Sequence, residues 1–189
     1  MSEYVTNQEF KNKNFLENPL PKGEYENCNF QNCNFSKADI SEISFQDCRF
    51  VNCDFTMTAV NKTAFRNIIF VACGLMGLHF EDCNKFLFAA NFEDCQLNLA
   101  SFYGWKISDT NFKDCNLQEV DFTNSDLSNS VFENCELSGA VFENSNLEGA
   151  DFCSAMNFNI NPTINKISRA KFSASNLIGL LRQYDIEID

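Results

Sequence analysis

Cysteine is the residue type whose spacing in this sequence could do chemistry most directly. There are ten cysteines among 189 residues, and both Cys28/Cys33 and Cys48/Cys53 have the spacing C-x4-C. Closely spaced thiols can bind zinc or form disulfides. A zinc site needs four ligands that converge as a tetrahedron, however, and thiols spaced evenly along one line do not supply that arrangement. The elements that carry the cysteines must therefore be identified first.

Catalytic residue types form no recognisable set. His79 is the single histidine, and the sequence identifies no partner for it. The sequence contains no glycine-rich phosphate loop and no nucleophile elbow, and glycine totals only seven. We therefore predict that the protein is not an enzyme and that it binds no metal and no cofactor.

Acidic residues are unevenly distributed along the chain. Lys and Arg total 14 and Asp and Glu total 26, which gives a formal net charge of -12. This balance argues against a nucleic-acid partner, because phosphates require a basic surface. Residues 1–89 carry a net charge of -3, residues 90–152 carry -10 and residues 153–189 carry +1. Two interpretations of the acidic segment stay open: a solvated surface that maintains solubility, or a surface that fits the basic groove of a partner.

The sequence also lacks membrane and export signals. No apolar run approaches the ~20 residues that a membrane span needs. Residues 1–15 are polar and include Glu3, Glu9, Lys11 and Lys13, so they form no secretory hydrophobic region. We therefore expect a cytoplasmic protein with reduced thiols and no membrane partner.

The main pattern in the sequence is an apolar residue at every fifth position. It extends from Tyr25 to Phe80, slips by two residues near 84–86, and resumes from Leu87 to Phe152. An α-helix would spread such residues around its axis, and a flat strand would alternate them between its two faces. A chain that turns a corner every five residues buries all of them on one side. Four corners make a coil of about 20 residues, and stacked coils make a solenoid.

Residues about 20 apart must then share one face of the solenoid. The first face is predicted to carry Phe30, Phe50, Phe70, Phe92, Phe112, Phe132 and Phe152. The second face carries Phe35, Phe55, Leu75, Leu97, Leu117 and Leu137. The third face carries Ile40, Val60, Phe80, Phe102, Phe122 and Phe142. The fourth face carries Phe45, Phe65, Leu87, Ile107, Leu127 and Leu147. After residue 87, Phe occupies two opposite faces and Leu or Ile the other two, and this regularity supports the coil length.

The position two residues before each of these core residues is mostly small and is predicted to point inward. Six cysteines occupy it on the second face: Cys33, Cys53, Cys73, Cys95, Cys115 and Cys135. Free cysteine behaves as a small buried hydrophobic residue. We therefore predict a column of core thiols about 4.8 Å apart, the spacing of adjacent strands.

Trp105 is too large for this small inward position, so a local bulge is expected there. Phe86, Phe88, Leu99 and Tyr103 lie nearby in the sequence. These apolar residues form either a binding patch or a distortion that fills its own gap.

Residues 140–152, AVFENSNLEGADF, resemble the A-(D/N)-(L/F)-x-x signature of the pentapeptide-repeat proteins. With the periodicity, the resemblance implies an all-β fold, a right-handed quadrilateral β-helix with a short C-terminal helix and strand as its cap. The predicted organisation is an N-terminal cap with irregular repeats (1–24), the solenoid (25–152) and a C-terminal cap (153–189).

The C-terminal segment departs from the repeat. Ser173 or Ser175 is predicted to cap a short helix, and residues 185–189 alternate like a strand. Because a solenoid end exposes core and unpaired backbone, this segment is either a monomeric cap or a homodimer interface. The tail is similar to that of the Qnr-type quinolone-resistance proteins, which use it to dimerise. That resemblance implies a homodimer with contacts from the following residues: Leu177, Leu180, Leu181, Tyr184 and Ile186.

The same resemblance implies a function. Qnr-type proteins are acidic, rod-shaped DNA mimics that bind a type II topoisomerase, DNA gyrase or topoisomerase IV, and can protect it from quinolones. About six coils at ~4.8 Å give a rod of roughly 30 Å, and a dimer doubles it. Four acidic residues that follow a core Phe on one face are the predicted partner contacts: Glu93, Asp94, Asp114 and Glu133. The alternative is a structural or interaction scaffold with an unrelated partner, in which the acidity is incidental.

Overall fold

The computed structural model describes residues 3–184 and 186. These residues form a four-sided parallel β-solenoid with almost no helix, which confirms the predicted fold class. Chain segments one coil apart pair in parallel on all four sides. Among the described residues no helix is long and apolar enough to cross a membrane.

Eleven short strands belong to two of the four faces. The strands are β1 (Glu3–Thr6), β2 (Glu9–Lys11), β3 (Gly23–Glu26), β4 (Asn29–Gln31), β5 (Ser44–Gln46), β6 (Arg49–Val51), β7 (Ala64–Arg66), β8 (Ile68–Val71), β9 (Ala90–Glu93), β10 (Asn111–Lys113) and β11 (Val131–Glu133). The fourth face is the four-stranded sheet β1-β3-β5-β7, and the first face is the seven-stranded sheet β2-β4-β6-β8-β9-β10-β11. Isolated parallel bridges, such as Asn34 with Asp54 and Asp121 with Val141, join the coils on the other two faces.

The strand register confirms the predicted coil length. Phe30 pairs with Phe50, and Phe112 pairs with Phe132, each 20 residues further along the chain. The rings therefore stack directly above one another. In the column on the first face, the ring centroids of Phe112 and Phe132 lie 5.2 Å apart with an interplanar angle of 9°. Edge-to-face contacts between columns, such as Phe122 with Phe132 at 6.0 Å, join neighbouring faces into one core.

The corners of the coils require left-handed backbone. Two residues after many of the core centres, φ is positive: 54° at Asp94, 52° at Asp114 and 59° at Asn124. Asn, Asp and Gly reach this region at the lowest cost, which explains their frequency at this position. Amide side chains at the corners also bond along the axis, as Asn134 Nδ2 does to Asp114 Oδ1 at 3.0 Å.

The structure contradicts the predicted core position of Leu87. Leu87 is 64 % exposed, and Phe88 takes the inward role, with its ring 5.3 Å from Trp105 and 6.0 Å from Phe80. The next strand, β9, pairs with β8 at an offset of 22 residues, Phe70 with Phe92. Because Leu87 points outward, a gap is left at its expected place on the fourth face. Phe88 and the indole of Trp105 fill this gap.

The regular pairing also includes both ends of the described chain. Residues 3–11, within the predicted N-terminal cap, pair through β1 and β2 with the next coil. At the other end Asp151 bridges Lys171, and Phe172 stacks on Phe152 with centroids 5.4 Å apart. A further turn of the solenoid thus follows residue 152.

Candidate functional site

The four predicted contact residues of the acidic segment lie together on the first face. Glu93 ends β9 and Glu133 ends β11, while Asp94 and Asp114 occupy the corner positions that follow β9 and β10. Asp94, Asp114 and Glu133 are exposed, and Glu93 is half-buried. Two coil spacings of ~4.8 Å separate Glu93 from Glu133, so the group covers about 10 Å along the axis.

Lys113 interrupts this group, which the sequence reasoning did not consider. The β9-β10-β11 register places Lys113 between Glu93 and Glu133. Its Nζ lies 2.9 Å from Glu93 Oε1. The hydrogen bond and the charge of Glu93 raise the pKa of Lys113, so this lysine stays protonated. Glu93 is therefore partly neutralised, whereas Asp94 and Glu133 form no ion pair within the described residues.

Several other carboxylates of the acidic segment have a local structural role. Asp121 Oδ1 accepts a hydrogen bond from the Thr123 N–H at 2.8 Å. Asp151 Oδ1 accepts one from the Cys153 N–H at 3.0 Å. These bonds close turns at the positions just before a core residue. Part of the -10 charge thus stabilises the coil and would be present without any partner.

The cysteine column is buried as predicted. The six cysteines that precede the second-face core residues are at most 2 % exposed. Their thiols donate to backbone carbonyls of the neighbouring coil, as Cys115 does to Phe92 O at 3.5 Å. Cys48 lies two residues before Phe50 of the first face and thus outside this column. Burial raises the pKa of its thiol to about 12. Among the described residues no three His, Cys, Asp or Glu side chains could hold a metal ion.

Cys153 and His79 are the chemically active side chains that remain at the surface. Cys153 is the exposed cysteine. The hydrogen bond that the Cys153 thiol donates to the Asp151 carboxylate, together with the negative charge of that carboxylate, raises the pKa of the thiol. The sequence identified no partner for His79, but its Nδ1 lies 2.9 Å from Glu81 Oε1.

The predicted dimer contacts form a partly apolar end of the solenoid. Leu177–Leu180 and Arg182–Tyr184 are short 3-10 helices. Leu177 is 44 % exposed, and Tyr184 and Ile186 are each 52 % exposed. Leu180 packs against the core, and Leu181 is half-buried. These exposed side chains are available for a second copy, and the homodimer stays a prediction.

Two details of the C-terminal prediction have different outcomes. The capping by Ser173 or Ser175 is wrong, because Asn176 is the residue that precedes the first 3-10 helix. Asn176 holds the segment to the solenoid instead: its Nδ2 donates to Phe152 O at 2.8 Å and to Ala155 O at 3.1 Å. The predicted strand at 185–189 lies outside the described residues, apart from Ile186.

The apolar residues around the slip divide into two groups. Trp105 and Phe88 fill the gap described above. Phe86, Leu99 and Tyr103 are 66 %, 53 % and 50 % exposed. Trp105 and Phe88 therefore fit the interpretation of a distortion that fills its own gap. Phe86, Leu99 and Tyr103 are the residues that can form a binding patch, because only they are exposed.

Comparisons with known proteins agree with this architecture. The family model of the pentapeptide repeat region matches residues 20–85, 43–107 and 78–152. No curated protein matches the chain. Full-length QnrB1, a plasmid-mediated fluoroquinolone resistance protein, is similar in structure, with a TM-score of 0.65 and 16% identity over 96% of this chain and 99% of QnrB1. A trypsin-treated QnrB1 variant gives the same TM-score and identity over 98% and 99% of the two chains.

HetL of the cyanobacterium Nostoc, which is involved in the regulation of heterocyst differentiation, is also similar in structure. Its TM-score is 0.52, with 15% identity over 89% of this chain and 86% of HetL. At these identities the two proteins share the fold with this chain. Because QnrB1 and HetL have different roles, the fold alone does not assign a function.

Proposed function

Because the chain belongs to the pentapeptide-repeat family, we propose that it is a non-catalytic interaction protein whose acidic first face binds the duplex-DNA groove of a type II topoisomerase. The partner is DNA gyrase or topoisomerase IV. Binding there would inhibit the enzyme or protect it from quinolones. The protein would act as a homodimer, joined through its C-terminal ends.

The observation that carries this proposal is the placement of the charge. Glu93, Asp94, Asp114 and Glu133 converge on one face, with Lys113 as the one basic residue among them. Over the same ~10 Å, duplex DNA presents about six phosphates on its two strands, at one per ~1.7 Å of axis. About half of them face any one side. The carboxylates thus supply a charge density similar to the duplex side that a basic groove contacts.

The shape of the molecule supports the same proposal. The seven strands of the first face are separated by six spacings of ~4.8 Å, so the face is roughly 29 Å long. A dimer joined end to end would double this length and approach that of a bound duplex segment. The similarity of fold to QnrB1 is consistent with this role.

A charge-matched pair of variants tests the proposal. In the test variant, Glu93→Gln, Asp94→Asn, Asp114→Asn and Glu133→Gln are combined. The control variant carries four Glu→Gln changes at exposed positions of the first two coils: Glu3, Glu9, Glu17 and Glu24. Each variant loses four charges from -12 and keeps -8. Because the substitutions are isosteric and none removes a core side chain, both variants should fold.

We expect the test variant to bind purified gyrase at least about tenfold more weakly than the parent. Four exposed charge contacts at roughly 0.4 kcal/mol each sum to slightly more than the 1.4 kcal/mol that corresponds to a tenfold change. The control variant should bind within about twofold of the parent. Because both variants have the same net charge, they lose a similar amount of long-range charge steering, and the difference between them reports the contacts of the acidic face. Surface plasmon resonance measures the affinity, and a supercoiling assay with and without a quinolone measures the consequence.

Equal weakening by the two variants would show that net charge alone matters and would contradict the assigned face. If the parent protein neither binds gyrase or topoisomerase IV nor changes its activity, the scaffold alternative remains. In that case the acidic face serves solubility or a different partner.

A further inference from the structure

A cluster of cations lies at the corner between the third and fourth faces and on the adjoining part of the fourth face. We call it the basic corner; it comprises Lys62, Arg66, Lys85 and Lys106. None of the four forms an ion pair with a carboxylate among the described residues. Other cations of the chain do so, as Lys113 does with Glu93 and Lys171 with Asp151. Arg66 is half-buried and its Nη1 donates to Ser44 Oγ at 3.1 Å, whereas the three lysines are exposed and available to an external anion.

Backbone contacts fix the relative positions of these cations. The Lys62 N–H donates to Asp82 O at 2.8 Å, and the Asn84 N–H donates to Thr63 O at 2.9 Å, so the coil that carries Lys85 lies directly against the coil that carries Lys62. Lys106 follows Trp105 in the next coil. Three successive coils therefore carry a lysine at this corner or just beyond it on the fourth face, over about 10 Å along the axis.

Exposed apolar side chains lie among these cations. Phe86 and Leu87 are 66 % and 64 % exposed. The Arg66 guanidinium carbon lies 5.9 Å from the centroid of the Phe86 ring. Lys85 Nζ lies 5.1 Å from the centroid of the Trp105 ring. The two-residue insertion thus projects an apolar pair into solvent among these cations.

The backbone makes this projection costly. Leu87 has a φ of 59°, in the left-handed region that is sterically unfavourable for leucine. The gap in the core is already filled by Phe88 and Trp105, so Phe86 and Leu87 are not needed for packing. The unpaired cations can supply charge complementarity to a partner, and the exposed apolar pair can supply hydrophobic contact.

We propose that the basic corner is a second interaction surface, which binds a short acidic segment of a partner protein carrying one aromatic or aliphatic side chain. Carboxylates of the segment would accept hydrogen bonds from the lysines, and the apolar side chain would pack on Phe86 and Leu87. This surface is separate from the acidic first face, and the proposal does not depend on a topoisomerase partner.

The surrounding charge favours a short peptide over a nucleic acid. Asp82 lies at the same corner, and Asp109 and Asp126 lie beyond Lys106 on the fourth face. A nucleic-acid strand needs a continuous basic track and would meet these carboxylates on leaving the corner. About three extended residues span the ~10 Å that the lysines cover, so a segment of about five residues with two to four carboxylates reaches all three lysines and extends little beyond them.

The test uses an immobilised peptide with the composition Glu-Glu-Phe-Glu-Glu and its uncharged counterpart Gln-Gln-Phe-Gln-Gln. Surface plasmon resonance measures binding of the full-length protein to each. We expect binding to the acidic peptide, at least about fivefold weaker binding to the uncharged peptide, and a loss of affinity as salt rises. Trp105 is the only tryptophan, so a change in its fluorescence on addition of the acidic peptide reports binding next to Lys85.

Two variants with a matched control locate the site. The triple variant Lys62→Gln, Lys85→Gln and Lys106→Gln should weaken binding about tenfold. The control variant combines Lys13→Gln, Lys37→Gln and Arg49→Gln. These three cations are exposed, lie elsewhere and also form no ion pair within the described residues. The control variant should bind the acidic peptide within about twofold of the parent.

A second variant, Phe86→Ser with Leu87→Ser, tests the apolar component. Both side chains are exposed, so the thermal midpoint should be retained while the affinity for the peptide falls at least about fivefold. Absence of binding to the acidic peptide, or equal losses in the triple variant and its control, would overturn the proposal. Tighter binding of a single-stranded oligonucleotide than of the peptide would overturn it as well.

Discussion

Phe122 provides the sharpest test of the core, because its side chain is fully buried between four other rings. Its ring stacks on Phe102 with centroids 5.5 Å apart and on Phe142 at 5.1 Å. Edge contacts join it to Phe112 at 6.1 Å and Phe132 at 6.0 Å. Phe122→Ala would therefore open a cavity that neighbours fixed by their own coils cannot fill.

The expected loss of stability follows from this packing. Replacing a fully buried Phe with Ala costs about 3–5 kcal/mol, and the rigid stack places Phe122→Ala at the upper end of that range. Phe122→Leu should cost only about 1–1.5 kcal/mol, because the second face already accommodates leucine. Phe86→Ala is the matched control, since the same side chain is removed from a position that is 66 % exposed. Its cost should stay below about 1 kcal/mol.

Urea unfolding, followed by circular dichroism and by Trp105 fluorescence, gives the three free energies. Trp105 lies in the neighbouring coil and reports whether the damage spreads along the solenoid. If Phe122→Ala cost no more than Phe86→Ala, or if Phe122→Leu cost as much as Phe122→Ala, the account of the stacked core would be refuted.

Three further predictions concern the C-terminal half. Asp151→Asn retains a side-chain oxygen for the turn but removes the carboxylate whose charge and hydrogen bond raise the pKa of the Cys153 thiol. Alkylation of Cys153 near pH 8 should therefore accelerate about twofold or more. An unchanged rate would contradict this cause of the raised pKa. Gly179→Ala should lower the thermal midpoint, because the added Cβ would overlap the ring of Phe158 and lie 2.7 Å from its carbonyl oxygen; a midpoint equal to that of the parent would contradict this contact. Truncation after Phe172 removes the predicted dimer contacts and should shift sedimentation from dimer to monomer, and a monomeric parent protein would disprove the dimer.

The repeat could be predicted from the sequence because each core residue has its own signal at a fixed distance. The 20-residue spacing of Phe112 and Phe132 translates directly into their pairing. The inward cysteines followed from the same rule, since the position two residues before each core residue also points inward and is mostly small. The pairing of Lys113 with Glu93 was also accessible, because the two residues are 20 apart.

The positions that were missed depend on three-dimensional space. Leu87 has the apolar character and the spacing of a core residue, yet Phe88 points inward in its place. That choice depends on the gap shared with Trp105, which lies 17 residues further along the chain and belongs to a different coil. The role of Asn176 was missed for the same reason, because its partners Phe152 and Ala155 belong to the preceding turn of the solenoid.

The central functional claim is that the acidic face and duplex DNA occupy the same groove of a type II topoisomerase. The most direct measurement follows the fluorescence anisotropy of a labelled duplex bound to gyrase while this protein is added. The account predicts that the duplex is displaced, that the protein concentration required rises in proportion to the duplex concentration, and that displacement weakens as salt rises. A ternary complex, in which the protein binds gyrase while the duplex remains bound with unchanged affinity, would contradict the claim.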